Sequence, residues 1–148
     1  MAHTERLIPA SPERIFEVLS DPDSYGYWVV GSDTIRDADA GWPAVGTRFH
    51  HRVGAGPIKV NDHTESLAVE APRMLRLRAR ARPLGTAIVE LVLERRGGGT
   101  LVGMDEKAGD PLTRLLFNPL TDILVRRRND VSLRRLEELA LGTKTAAS

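Results

Sequence analysis

Hydrophobic residues fall into two spacings along this chain, and the change between them marks its elements. Residues 3–8 read as a short strand that Pro9-Ala10 ends. Ser11 then offers an N-cap oxygen, Pro12 suits the first helical position, and Glu13 complements the positive helix end. Ile15, Phe16 and Leu19 supply the apolar stripe of this helix; Asp21-Pro22 stops it and caps a second short one reaching Trp28. After a mixed stretch with a strand around residues 32–36 and a loop at 37–43, the spacing changes to period two from about residue 47 to 108.

Gly54-Ala55-Gly56-Pro57 separates two alternating runs, 47–53 and 58–69, as a hairpin turn would. A turn centred between Ala55 and Gly56 pairs Val53 with Ile58, His51 with Val60 and Phe49 with Asp62 on one inward face. Arg48, His50, Arg52, Lys59, Asn61 and His63 fall on the other. Leu67 and Val69 are out of step with Ile58 and Val60, which predicts a bulge near residues 64–66. Around Pro83-Leu84-Gly85 a second hairpin faces Leu75, Leu77, Ala79 and Ala81 with Leu93, Leu91, Val89 and Ala87. Its outer face carries Arg76, Arg78, Arg80 and Arg82, with Arg78 opposite Glu90. Pairing across Gly97-Gly98-Gly99 puts Val102, Met104 and Glu106 beside Leu93, Leu91 and Val89, so a carboxylate is aimed inward.

Helical spacing returns over residues 111–141, about 45 Å of helix, with Pro119 bending it. The stripe Leu112, Leu116, Ile123, Arg126, Asn129, Leu133, Leu136 and Ala140 is apolar at its ends and polar in the middle, where it would meet a ligand. A single domain over residues 1–141 followed by a flexible tail, 142–148, is the expected organisation.

Composition removes several alternatives. The absence of cysteine excludes disulfides, thiolate catalysis and cysteine-ligated zinc, and fits a reducing compartment, so the cytoplasm is expected. No leader-like run opens the chain and no stretch is apolar enough to span a bilayer, so stable membrane insertion is not expected. Twenty-one basic residues against 20 acidic ones leave a net charge of +1, too little for long-range attraction to nucleic acid. His50-His51 point to opposite faces of a strand, and the four histidines show no metal-ligand spacing. Gly97-Gly98-Gly99 precedes a strand, so it is no phosphate cradle. Arg126-Arg127-Arg128 and Arg134-Arg135 are diluted by Asp130, Glu137 and Glu138 and read as a solvated helix face.

The run Ser11-Pro12-Glu13-Arg14-Ile15-Phe16-Glu17-Val18-Leu19-Ser20-Asp21-Pro22, with Tyr25 and Trp28 after it, resembles the opening of the SRPBCC superfamily. These are START-like helix-grip proteins related to the birch-pollen allergen, and the resemblance is to their polyketide cyclase/dehydrase branch. It extends over the strand order and the terminal helix, essentially the whole chain. It implies an α+β helix-grip fold, with a curved seven-stranded antiparallel sheet wrapped around the C-terminal helix and two short helices between strands 1 and 2. It also implies an apolar tunnel for lipids, sterols, polyketides or other aromatic compounds, with no cofactor. A fold so widely shared does not select a function.

Two classes of function follow. A carrier or sensor for a hydrophobic small molecule needs only an apolar wall, here Trp28, Phe49, Val60, Leu77, Val89, Leu91 and Met104, with Asn118, Arg126 and Asn129 facing it from the helix. A cofactor-independent cyclase or dehydratase needs proton-moving groups besides, and His51, Asp62 and Glu106 are the catalytic candidates. Asp62 either orients the His51 ring as a general base or simply satisfies a buried histidine. Glu106, with Arg126 or Asn129, either anchors a ligand's polar end or fixes the helix on the sheet. Neither class requires a metal, and either admits a monomer or a homodimer.

Overall fold

The computed structural model describes residues 2–30, 32–55, 58–81, 85–114 and 119–143. Strand β1 (Ala2–Ile8) leads into helix α1 (Pro12–Leu19), a 3-10 turn (Pro22–Ser24) and helix α2 (Tyr25–Trp28). Six strands follow in succession: β2 (Ser32–Ala38), β3 (Arg48–Ala55), β4 (Ile58–Glu70), β5 (Met74–Ala81), β6 (Gly85–Arg96) and β7 (Gly99–Ala108). Helices α3 (Pro111–Arg114) and α4 (Pro119–Ala140) close the chain. All seven strands form one antiparallel sheet in the order β1-β7-β6-β5-β4-β3-β2, so β1 and β2 are its edges. Helix α4 packs against β1, α1 and α2. This is the helix-grip arrangement.

Local chemistry sets the elements much as the spacing predicts. The Ser11 side chain accepts the Arg14 main-chain N–H at 3.1 Å, and α1 buries Ile15, Phe16, Val18 and Leu19. The end of α1 is tied to the core by aromatics: the Leu19 carbonyl accepts both the Tyr25 hydroxyl (2.7 Å) and the Trp42 indole N–H (3.1 Å). Tyr25, Trp28, Trp42 and Phe49 pack with ring centroids 4.7–5.7 Å apart.

The β6–β7 ladder matches its predicted register, with Leu93 opposite Val102, Leu91 opposite Met104 and Val89 opposite Glu106. The other two predicted hairpins, β3–β4 and β5–β6, are displaced by two residues. In β3–β4, Ala55 meets Ile58, so His51 faces Asp62 and Phe49 faces Thr64. In β5–β6, Leu75 meets Leu91 and Leu77 meets Val89; Arg76 rather than Arg78 therefore faces Glu90, in an ion pair of 2.6 Å. A shift of two leaves each side chain on its face, so the inward set is unchanged and only the partners differ. The bulge lies between Ser66 and Ala68, just past the predicted 64–66.

The predicted helix over 111–141 is described as α3 and α4, with 115–118, including Asn118, outside the described residues. The structure describes α4 from Pro119 to Ala140, about 33 Å of helix; the bend expected at Pro119 depends on residues 115–118 and so lies outside the described residues. Asn129, Leu133, Leu136 and Ala140 are buried as the stripe requires, but Ile123 and Arg126 are exposed. Three-residue steps advance about 300°, so 129, 126 and 123 drift about 60° each away from the core. Asp122 and Val125, both half-buried, continue the inward line instead. At its other end α4 finishes in a turn at Gly142, whose φ of 75° suits glycine. There the Gly142 N–H donates to Leu139 and the Thr143 N–H to Glu138. The predicted tail thus begins with an ordered cap, and 144–148 lie outside the described residues.

Gly99 starts β7 where the chain crosses the end of β1, and a Cβ there would stand 2.5 Å from the Ile8 carbonyl oxygen. At Gly98 a Cβ would meet nothing within 4 Å. Gly99→Ala is expected to lower stability by roughly 1–3 kcal/mol and Gly98→Ala to leave it nearly unchanged, measured by chemical denaturation. Equal effects of the two would contradict this contact.

Candidate functional site

The inward side of the sheet is an apolar field interrupted at two places. Leu75, Leu77, Leu91, Leu93, Val102 and Met104 fill its centre and are buried. Glu106 breaks it on β7, and His51, Asp62 and Thr64 break it on β3 and β4. Strands β6 and β5 stand between the two places, so the register keeps the three candidate catalytic residues from forming one cluster.

Glu106 is buried, and α4 brings two donors to it. Arg128 reaches one carboxylate oxygen at 2.5 Å, and the Asn129 amide donates to the other at 3.2 Å. The Arg128 side chain stays 41% exposed and that of Glu106 only 7%, so it is the carboxylate that is withdrawn from water. Two charge-assisted hydrogen bonds satisfy an acid that would be costly to bury alone. Asn129 was readable as Glu106's partner from the sequence. Arg126 is not a partner: it is exposed and pairs with Asp122 at 3.1 Å, one turn back on the same helix. Measured from the buried Asn129, Arg126 and Arg128 flank the inward line on opposite sides, so helical spacing alone does not choose between them.

His51 is 3% exposed and sits directly across from Asp62, yet the carboxylate does not hold the ring. Nε2 of His51 pairs with the Thr64 hydroxyl at 2.9 Å, and Nδ1, also buried, has no hydrogen-bond partner. Asp62 accepts the His63 main-chain N–H at 3.0 Å and lies 3.7 Å from the His63 ring and 3.9 Å from Arg80. Burial pushes the His51 ring below its ordinary pKa, against the smaller opposing effects of the His63 backbone and the Asp62 charge. It is therefore a neutral imidazole with one open nitrogen, chemically a base without an orienting acid.

Among the expected wall residues, Trp28, Phe49, Leu77, Leu91 and Met104 are all closed over by protein, at 4% exposure or less. The Trp28 indole N–H is buried without a hydrogen-bond partner. Cover thins toward the ends of β5 and β6, where the inward Ala79, Ala87 and Val89 are half-buried. Val89 is the residue opposite Glu106, so this thinner patch adjoins the carboxylate. The Val60 side chain and Asn118 fall outside the described residues. Among the described residues no group of three histidine or acidic side chains could hold a metal ion, and no helix is long and apolar enough to cross a membrane.

A seven-stranded antiparallel sheet gripping a long C-terminal helix defines a helix-grip protein. The chain belongs to the polyketide cyclase / dehydrase and lipid transport family, which matches residues 2–140. Among solved structures it is similar to protein MLL2253 from Mesorhizobium loti, at 23% identity over 97% of this chain and 98% of that one, with a TM-score of 0.68. It is also similar to TTHA0849 from Thermus thermophilus, at 21% identity over 97% and 99% of the two chains and a TM-score of 0.70. Ara h 8.0201 shares 14% identity over 95% and 96%, with a TM-score of 0.70. At these identities the likeness is one of fold. No curated protein matches the sequence.

Two measurements test this electrostatic picture. Arg128→Met leaves the Glu106 carboxylate with Asn129 alone and is expected to cost about 1–3 kcal/mol at neutral pH in denaturant unfolding. No loss would mean that the ion pair does not secure the helix. For His51, the folded state holds the pKa below the unfolded value of about 6.5, so its contribution is complete above that pH and lost as pH falls. His51→Gln should flatten the decline of Tm between about pH 7 and 5.5 relative to the unaltered protein; identical slopes would contradict the assignment.

Proposed function

We propose that this protein binds a hydrophobic small molecule, a lipid, polyketide or aromatic compound, between the inward face of the sheet and the N-terminal half of α4, as a carrier or sensor. The observation that carries the reading is the half-buried apolar patch of Ala79, Ala87 and Val89 beside the buried Glu106 and Asn129. A ligand lying there removes the remaining apolar surface from water, at about 25 cal/mol per Å², and meets a polar group at one end. Trp28, Phe49, Leu77, Leu91 and Met104 form the wall behind this patch, and Val60 and Asn118 complete the proposed lining. The protein works in the cytoplasm, without a cofactor, as a monomer or homodimer. The family's description, which names lipid transport, supports the carrier reading.

A second reading has its own support. His51 is buried, neutral and open at Nδ1, the state a general base requires. A cyclase or dehydratase reaction on a polyketide-like substrate would use His51 to take a proton, Asp62 to stabilise the resulting charge across the ladder, and Glu106 as a second proton-moving group.

Native mass spectrometry of the freshly purified protein is expected to reveal a co-purifying apolar compound. Val89→Trp, which fills the thin patch, should abolish that adduct and reduce binding of a fluorescent fatty-acid analogue at least 10-fold; unchanged binding would sink the proposed location. His51→Ala and Glu106→Gln should keep affinity within a few-fold in a carrier. Loss of turnover with binding retained would establish the enzyme instead.

A further inference from the structure

The outer face of α4 carries an arrangement that binding on the inner face does not use. Leu120, Ile123 and Leu124 are 68%, 50% and 57% exposed, and their spacing sets them side by side on one helical turn. Arg127 lies one turn further along the same line. With Arg126 and Arg134 it forms one wall of an open groove of about 540 Å³, whose other wall is the edge strand β1, including His3 and Glu5. Most charges in this groove are already matched. Arg126 pairs with Asp122, Arg134 pairs with Asp130 at 3.1 Å, and the His3 ring lies between Asp105 and Glu5. Arg127 has no ion pair or hydrogen bond to another side chain among the described residues, and it borders the apolar turn.

Solvent-facing leucine and isoleucine in a cluster, bordered by arginine, match a lipid surface better than the other occupants. In an interfacial helix the apolar side chains enter the boundary between head groups and acyl chains while arginines meet phosphates. A second copy of the chain would find only one turn of apolar contact, far less than the ~800 Å² per partner of a stable interface. An acidic peptide laid in the groove would meet Glu5 and Asp130. We propose that α4 docks the protein peripherally on an anionic bilayer, with Leu120, Ile123 and Leu124 entering the head-group layer and Arg127 meeting a lipid phosphate at the mouth of the β1–α4 groove. The face involved is opposite to the one proposed for ligand binding, so this inference stands or falls independently of that reading.

The test is co-sedimentation with vesicles of phosphatidylcholine alone or mixed with phosphatidylglycerol, read alongside circular dichroism and Tm. Partition onto the mixed vesicles and little onto neutral ones is expected, weakening as salt is added. Arg127→Glu and the double variant Ile123→Ser/Leu124→Ser should each reduce partition about 10-fold or more without changing Tm, because these side chains are exposed. No partition, equal partition onto both vesicle types, or unaltered partition by folded variants would overturn the proposal. So would competition by millimolar inorganic phosphate, which assigns the groove to a soluble anion, or a concentration-dependent dimer lost in the same variants.

Discussion

Helix α4 is fastened to β1, α1 and α2 at its C-terminal end and to Glu106 of the sheet near its middle, and these attachments position the rest of the molecule. At its C-terminal end the Arg14 guanidinium donates to the carbonyls of Ala140 (2.9 Å) and Leu139 (3.0 Å), where the helix dipole favours a cation. Tyr27 donates to Glu138, Arg6 pairs with Glu137, and Ser132 accepts the Val30 N–H. Leu133, Leu136 and Leu139 are buried alongside. Near the middle of the helix, Arg128 and Asn129 bind Glu106 of the sheet. The C-terminal end of the helix is thus bolted to β1, α1 and α2, and Glu106 latches its middle to the sheet.

This division explains why the sheet's inner face is closed in one region and thinly covered in another. Where α1, α2 and the bolted half of α4 converge, Tyr25, Trp28, Leu91 and Leu133 pack to near-complete burial. In its first turns the helix keeps Asp122 and Val125 half-buried and turns its larger apolar residues to solvent, while Ala79, Ala87 and Val89 on the sheet are only half-covered. The same helix therefore offers different chemistry on its two sides, a sparse polar inner line and an apolar-basic outer one. A latch of one carboxylate and two donors in an apolar surround is strong while complete and costly when broken, which suits a boundary between a rigid and an accessible region.

Much of the sheet was legible because a two-residue period survives errors in pairing. The inward set on β3 to β7 follows from alternation alone, and the turns near residues 56 and 83 could be misplaced by one position without moving a side chain to the other face. The partners were not protected in this way. Arg76 rather than Arg78 meets Glu90, and His51 meets Asp62 squarely but bonds to Thr64, because strand twist and side-chain reach, not spacing, choose between neighbours on one face. The helix is less forgiving: with a period of 3.6, a stripe counted in threes drifts, and such a count puts Arg126 inward where Arg128 does the holding.

By itself the sequence determined the α+β class, the order of the elements, the face of each strand, the burial of Glu106 and the cap at Ser11, since these depend on local periodicity and on the chemistry of a few consecutive residues. Only the tertiary structure decided that Arg128 joins Asn129 on that carboxylate, that His51 keeps an unpartnered nitrogen, that Arg14 closes the far end of α4, and that Leu120, Ile123 and Leu124 face water. Each of these joins residues far apart in the chain or sets which side of a helix is covered, and the covering depends on how whole elements pack rather than on any spacing within one of them.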